Sequence, residues 1–194
     1  MGKTKLSLTY RFLKAIGLNY SEEEYGQVGP FTVVGKIFSN PYHALLLSMM
    51  DWVIFDPIAP RMMRPWLLRR LGAKVGKGVF IGDHCRFDQN HADHIIIEDN
   101  AHIASGTRLL CHLRNLSDYH IGDDYAKLPY RLGFVKLCKG SCIGMESMVM
   151  PGVTIGEGAI VGAASLVAKD VPAWTIAVGS PAKPVKNITA RNVE

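Results

Sequence analysis

From Val75 onward an aliphatic or aromatic residue returns at every sixth position. Val75, Ile81 and Phe87 lead one block of six-residue units, and Ile97, Ile103 and Leu109 lead a second. Leu137, Ile143, Val149, Ile155, Val161 and Val167 lead a third. Spacing within a block does not vary, so the breaks are insertions rather than lapses of the pattern. A period of six would walk an apolar residue around an α-helix. It fits a triangular coil of short strands, in which each lead residue points inward and stacks on its equivalents above and below. The second position is often Gly or Ala (Gly76, Gly82, Ala104, Gly144, Gly156, Gly162) and is expected at a tight corner with little room for a Cβ. The fifth is small or apolar (Ser147, Val153, Ala159, Ser165) and is expected to fill the remaining interior. Such an array supplies one continuous core.

Residues 1–70 do not join the repeat. KLSLTYRFLKAIG, PYHALLLSMMDWVIF and RMMRPWLLRRLG read as short helices separated by Gly and Pro. Asp51 and Asp56 interrupt the apolar run from Pro41 to Pro60, which argues against a transmembrane span. These helices are expected to cap the open end of the first coil. The alternative is peripheral contact of residues 41–70 with an anionic membrane through Trp52, Trp66, Met62, Met63, Arg61, Arg64, Arg69 and Arg70. The chain then divides into a helical appendage (1–70), a repeat domain (71–188) with a loop inserted at about 113–135, and a tail (189–194).

Composition narrows the partners. Apolar residues make up 48% and charged residues 20% of the 194, which excludes a disordered chain. The net charge of +5 suits an anionic ligand such as the phosphates of coenzyme A, an acidic glycan or a bilayer surface. Lysines and arginines are dispersed, which disfavours nucleic acid. Cys85, Cys111, Cys138 and Cys142 form no C-x-x-C pair and are expected as thiols in a reducing cytosol. The basic N-terminus has neither a long apolar core nor a cleavage site, so no secretory signal is expected. The expected location is cytoplasmic, at the inner face of the membrane if the helices dock there.

Both insertions hold chemistry. The first, QNHADHII, brings Asp88, Asn90, His91 and His94 together in sequence. The second, LRNLSDYHIGDDYAKLPYRLGFV, is polar, aromatic and acidic, as expected of a flap over an acceptor. His112 stands where the coil hands over to it.

The segment IGMESMVMPGVTIGEGAIVGAASLVAKDVPAWTIAVGSPAKPVK resembles the C-terminal coils of the hexapeptide-repeat acyltransferases. It is similar to the maltose, galactoside, nodulation-factor, xenobiotic and polysaccharide-biosynthesis acetyltransferases. The resemblance runs from about Leu67 to Ile188, and V-A-K-D-V-P…G-S-P-A-K is its most specific part. It implies an all-β fold, a left-handed parallel β-helix, and an acetyl-CoA-dependent O-acetyltransferase acting on a sugar or surface-polysaccharide precursor. A homotrimer with active sites between subunits is implied as well, with acetyl-CoA as co-substrate and no metal. His112, in LLCHLRNL, would be the general base for a hydroxyl that is otherwise a poor nucleophile. Asn90 and His120 would contact the acceptor, and Asp88 would have an orienting or an acceptor-contact role. Gly144, Met145, Gly162, Ala163, Ala164, Lys169, Pro181, Ala182 and Lys183 would hold the donor, and a backbone N–H near Gly144 and Met145 would meet the oxyanion. Ala164, Cys142 and Met145 depart from the family pattern. Two other classes fit the repeat: a zinc enzyme like the γ-type carbonic anhydrases, and a non-catalytic scaffold.

Overall fold

The computed structural model describes residues 6–17, 26–52, 54 and 56–190. They fall into two compact units, Met1–His43 with Leu113–Arg131, and Ala44–His112 with Leu132–Glu194. The larger unit contains the repeat.

Successive six-residue units pass in turn to three parallel sheets. Lys74–Val75, Ile95–Ile97, Val135–Leu137 and Thr154–Ile155 form the first. Phe80–Ile81, His102–Ile103, Cys142–Ile143, Ile160–Val161 and Thr175–Gly179 form the second, with Ala182–Asn187 antiparallel at its edge. Arg86–Phe87, Arg108–Leu109, Met148–Val149 and Leu166–Val167 form the third. The register aligns lead residues in columns. One column is Val75, Ile97, Leu137 and Ile155. Another is Ile81, Ile103, Ile143, Val161 and Ala177, and the third is Phe87, Leu109, Val149 and Val167. Every lead residue is buried except Val75, which is half-buried at the open end. A wholly buried residue such as Ile103 contributes about 2 kcal/mol. Fifth-position side chains fill the rest of the interior, and their hydroxyls bond along the stack except that of Ser141, which is buried without a partner among the described residues. Ser147 Oγ donates to Gly162 O (2.9 Å), and Ser165 Oγ accepts from the Gly179 N–H (3.1 Å).

Left-handed backbone falls at the fourth residue of most units. His84, Gly106, Glu146 and Ala164 stack at one corner with φ of 53°, 73°, 56° and 53°. Second-position glycines have little room for a Cβ, as the sequence led one to expect. A Cβ on Gly144 would lie 2.5 Å from the Ala163 nitrogen in the following coil.

Within the same unit, the segment after His43 packs on the first coil. Leu46, Met50, Leu67, Leu68 and Leu71 share one buried cluster with Val79 and Ile81. A π-helical turn, Ala59–Met63, leads into the helix Arg64–Arg70. Buried Arg64 donates to the carbonyls of Met50 (2.7 Å) and Ile81 (3.3 Å) and pairs with Asp56 (3.1 Å). Arg61 donates to Gly78 O, and Arg69 to Val75 O and Gly76 O. The Arg70 guanidinium lies over the Trp66 ring. Of the arginines read as lipid contacts, Arg61, Arg64 and Arg69 thus bond carbonyls of the first coil, and Arg70 stacks within its own helix.

Two helices belong wholly or largely to the smaller unit. Leu8–Ala15 matches its expected position. The helix expected from Pro41 instead runs Pro30–Met49 with Pro41 inside it. Proline ordinarily marks a helix start, and that prior misplaced the boundary. A two-stranded sheet of His112–Arg114 and Tyr130–Leu132 bounds the long loop.

Candidate active site

The site begins where the third sheet hands over to the first. Phe87 ends a strand, and the insertion that follows makes a 3₁₀ turn, Ala92–His94, anchored by buried Ala92. One coil later the chain leaves the repeat after Cys111 and rejoins it at Gly133, whose N–H donates to Cys111 O (2.9 Å). Glycine is needed there, because a Cβ would stand 2.5 Å from the Gly152 nitrogen. The two insertions thus root side by side, and Asp88 lies between them.

The Asp88 side chain is 2% exposed, and both its oxygens are engaged. Oδ2 is hydrogen-bonded to His112 Nδ1 and accepts the Cys111 N–H (3.2 Å). Oδ1 lies 3.2 Å from His91 Nδ1 and accepts the Asn90 N–H (3.3 Å). The imidazoles of His91 and His112 are 5.1 Å apart between centroids, and His94 meets the edge of His91 while stacking on Phe134 (4.6 Å). Burial pushes the Asp88 carboxyl up, but the hydrogen bonds and charges of His112 and His91 outweigh it, and the pKa falls below the usual carboxylate range. An ionised carboxylate only accepts hydrogen bonds. In a neutral His112 it therefore fixes the proton on Nδ1 and the basic lone pair on Nε2. That is the arrangement a general base requires, and the ring is 35% exposed.

Asp88, expected either to orient or to contact the acceptor, is thus hydrogen-bonded to His112, and Asn90 meets it through a backbone N–H. His91 has no role in the acyl-transfer expectation, although H-x-x-H invites a metal reading. Its H-x-x-H spacing with His94 was visible, but the Asp88–His91 pairing depends on how the insertion folds. Donor atoms of Asp88, His91 and His112 lie within 4.8 Å of one another, a set that also suits a divalent cation. His120 belongs to the other unit, in its own turn. Its N–H donates to Asp123 Oδ2 (2.7 Å), and its ring is 80% exposed. The cysteines are free thiols, and burial raises Cys85 and Cys111 to about 12.

The expected donor residues gather, with one exception, at the corner where the second sheet hands over to the third. The Ala164 N–H donates to Met145 O (2.8 Å), Gly144 backs onto Ala163, and Gly162 faces Val178. Val178 and Gly179 pair with Lys183 and Ala182 across the terminal hairpin that contains Pro181. Lys169 is the exception, following the strand Leu166–Val167 at the corner shared with Asp88 and Cys111. The Gly144 N–H is committed to Val161 O (2.8 Å), so it does not serve as an oxyanion donor, and Met145 remains the candidate. Within one chain the histidine corner and the donor corner flank opposite edges of the third sheet.

Comparison with known proteins supplies the context. No family model matches the chain. A provisionally named acetyltransferase of Staphylococcus aureus is 36% identical over 115 residues, 59% of this chain and 55% of that protein. The chain thus spans about half the length of that relative. An N-acyltransferase mutant from Bacillus cereus, solved with dTDP and coenzyme A, is 27% identical with a TM-score of 0.51, over 60% of this chain and 63% of that one. The resemblance to the hexapeptide-repeat acyltransferases holds. For the fold alone, a maltose O-acetyltransferase from Clostridium difficile agrees over 96% of this chain and 100% of its own, with a TM-score of 0.61 at 22% identity.

Proposed function

We propose that the protein transfers an acetyl group from acetyl-CoA to a hydroxyl of a sugar or of a surface-polysaccharide or glycoconjugate precursor. The observation that carries this reading is the buried Asp88 bonded to His112 where the coil meets its insertions. His112 Nε2 takes the hydroxyl proton as the oxygen attacks the thioester carbonyl. The backbone N–H of Met145 meets the developing oxyanion. The C–S bond then breaks, and the coenzyme A thiolate leaves and takes up the proton, which restores neutral His112. Gly162, Ala163 and Ala164 present backbone to the pantetheine arm, Lys169 and Lys183 face phosphates, and Pro181 and Ala182 border the adenine.

Since the two corners flank opposite edges of one sheet, the reading includes a second copy that supplies the missing half. A closed homotrimer of left-handed coils meets that need. Residues 1–70 act as an appendage and 71–188 as the transferase domain. The same base would serve an amine acceptor, which the assay panel includes as the alternative to a hydroxyl.

Thiol release from acetyl-CoA across a panel of sugars tests the proposal. His112→Ala is expected to lose roughly 10²–10⁴-fold in turnover. Unchanged turnover would remove His112 as the base. A second reading, a zinc enzyme, draws on the Asp88, His91 and His112 donor set. Against it, the two Nδ1 atoms address different oxygens of one carboxylate, which describes a hydrogen-bonded bridge. Stoichiometric zinc in the purified protein, with no thiol release, would favour that reading.

A further inference from the structure

The Asp88 carboxylate takes its hydrogen bonds in two matched pairs. Oδ2 holds the Cys111 N–H and His112 Nδ1, at the root of the long flap. Oδ1 holds the Asn90 N–H (3.3 Å) and His91 Nδ1 (3.2 Å), both from the first insertion. The bond to Asn90 closes a turn on the residue two positions on, as Asp side chains readily do, and carries His91 round to the same oxygen. The 3₁₀ turn Ala92–His94 follows at once, with Ala92 buried. The His91 ring also lies between those of His112 (5.1 Å between centroids) and His94 (5.9 Å). His94 in turn stacks on Phe134 (4.6 Å), where the second insertion rejoins the coil. A ladder of rings thus joins the roots of both insertions. The His91 side chain is 24% exposed, so it is more covered than His112, and it takes no part in the proposed proton transfer.

An ionised carboxylate offers no proton, so both Nδ1 atoms act as donors in neutral rings. Two imidazole donors on opposite oxygens hold the carboxylate against rotation. Removing one leaves an oxygen of a nearly buried group short of a partner, and the carboxylate turns or admits water to recover it. We propose that His91 is a positioning residue: its Nδ1–H pins Asp88 Oδ1, so that Oδ2 stays aimed at His112 and keeps that ring in the Nδ1-protonated tautomer. His91 acts through Asp88 and not on the reacting atoms. Its effect on turnover rests on the acetyl-transfer reading, whereas its effect on the His112 tautomer does not.

Two full-length variants separate the donor from the ring. His91→Phe keeps a ring without the N–H, and His91→Asn keeps an N–H near the place of Nδ1 without the ring. With thermal transitions unchanged, kcat for thiol release by His91→Phe is expected to fall roughly 10–100-fold. The KM for acetyl-CoA is expected to stay the same, since the donor corner is untouched. His91→Asn is expected to recover most of the loss. Nitrogen-15 NMR of the imidazoles at about pH 8.5, where histidine is neutral, reads the tautomer directly. The His112 signals are assigned by their loss in His112→Ala. Wild type and His91→Asn are expected to show one tautomer, protonated on Nδ1, and His91→Phe a mixture. A His91→Phe variant with wild-type kcat and a single tautomer would overturn the proposal, as would a His91→Asn variant that recovers nothing. A loss in His91→Asn as large as that in His112→Ala would place His91 on the reacting atoms and overturn it too. A wild type that releases no thiol would remove the acetyl-transfer reading, and the tautomer comparison alone would then decide.

Discussion

Two corners of the coil, at opposite edges of the third sheet, are built by opposite means. At the donor corner the repeat is unbroken. Ala164 donates its backbone N–H to Met145 O, and small residues such as Gly144 and Ala163 let adjacent coils approach closely. At the histidine corner both insertions leave the coil, and side chains do the organising, through a buried carboxylate between two imidazoles. Regular structure offers backbone groups that suit a long, flexible ligand such as coenzyme A. Irregular structure brings in titratable groups that a rigid stack then holds in place.

Breaking the histidine corner should have the largest effect. Asp88→Asn keeps the size of the side chain but removes the charge that fixes the His112 tautomer. Its turnover in the thiol-release assay is expected to fall roughly 10²–10⁴-fold with the fold intact by circular dichroism. Damage at the donor corner should instead appear as instability. Gly144→Val places a Cβ against the Ala163 backbone and is expected to cost about 2–3 kcal/mol in denaturant unfolding. A third prediction follows from the lowered pKa of Asp88. A carboxyl depressed on folding stabilises above its unfolded pKa, about 4, and that contribution is lost as pH falls through the folded value. The stability gap between wild type and Asp88→Asn should therefore be widest near neutrality and narrow below about pH 4. The smallest effect is at Ala164, whose φ of 53° glycine adopts without strain. Ala164→Gly is expected to stabilise by about 0.5 kcal/mol, since the relieved strain slightly exceeds the added chain entropy.

The same contrast explains what the sequence made legible. Lead residues such as Ile103 and Val149 were readable because burial imposes one chemical type at one spacing. The corners were read in part. Glycine serves both for positive φ and for close approach, and the sequence alone does not separate Gly144, which needs space, from Gly106, which has the unusual backbone. Asp88 and His112 are legible as individual residues, but twenty-four positions separate them, and the pairing of His91 with Asp88 emerges only once the insertion turns back at Ala92. Helix Pro30–Met49 was begun too late, since its first half is rich in β-branched residues and Gly35, which lower helix propensity.

The central claim is that Asp88 and His112 act as one unit in acyl transfer. A double-mutant cycle on thiol release, with His112→Ala, Asp88→Asn and the pair combined, tests it most directly. The double variant is expected to be no slower than His112→Ala alone, because Asp88 has no catalytic use without the ring it orients. Losses that multiply, or a His112→Ala enzyme as fast as wild type, would contradict the account.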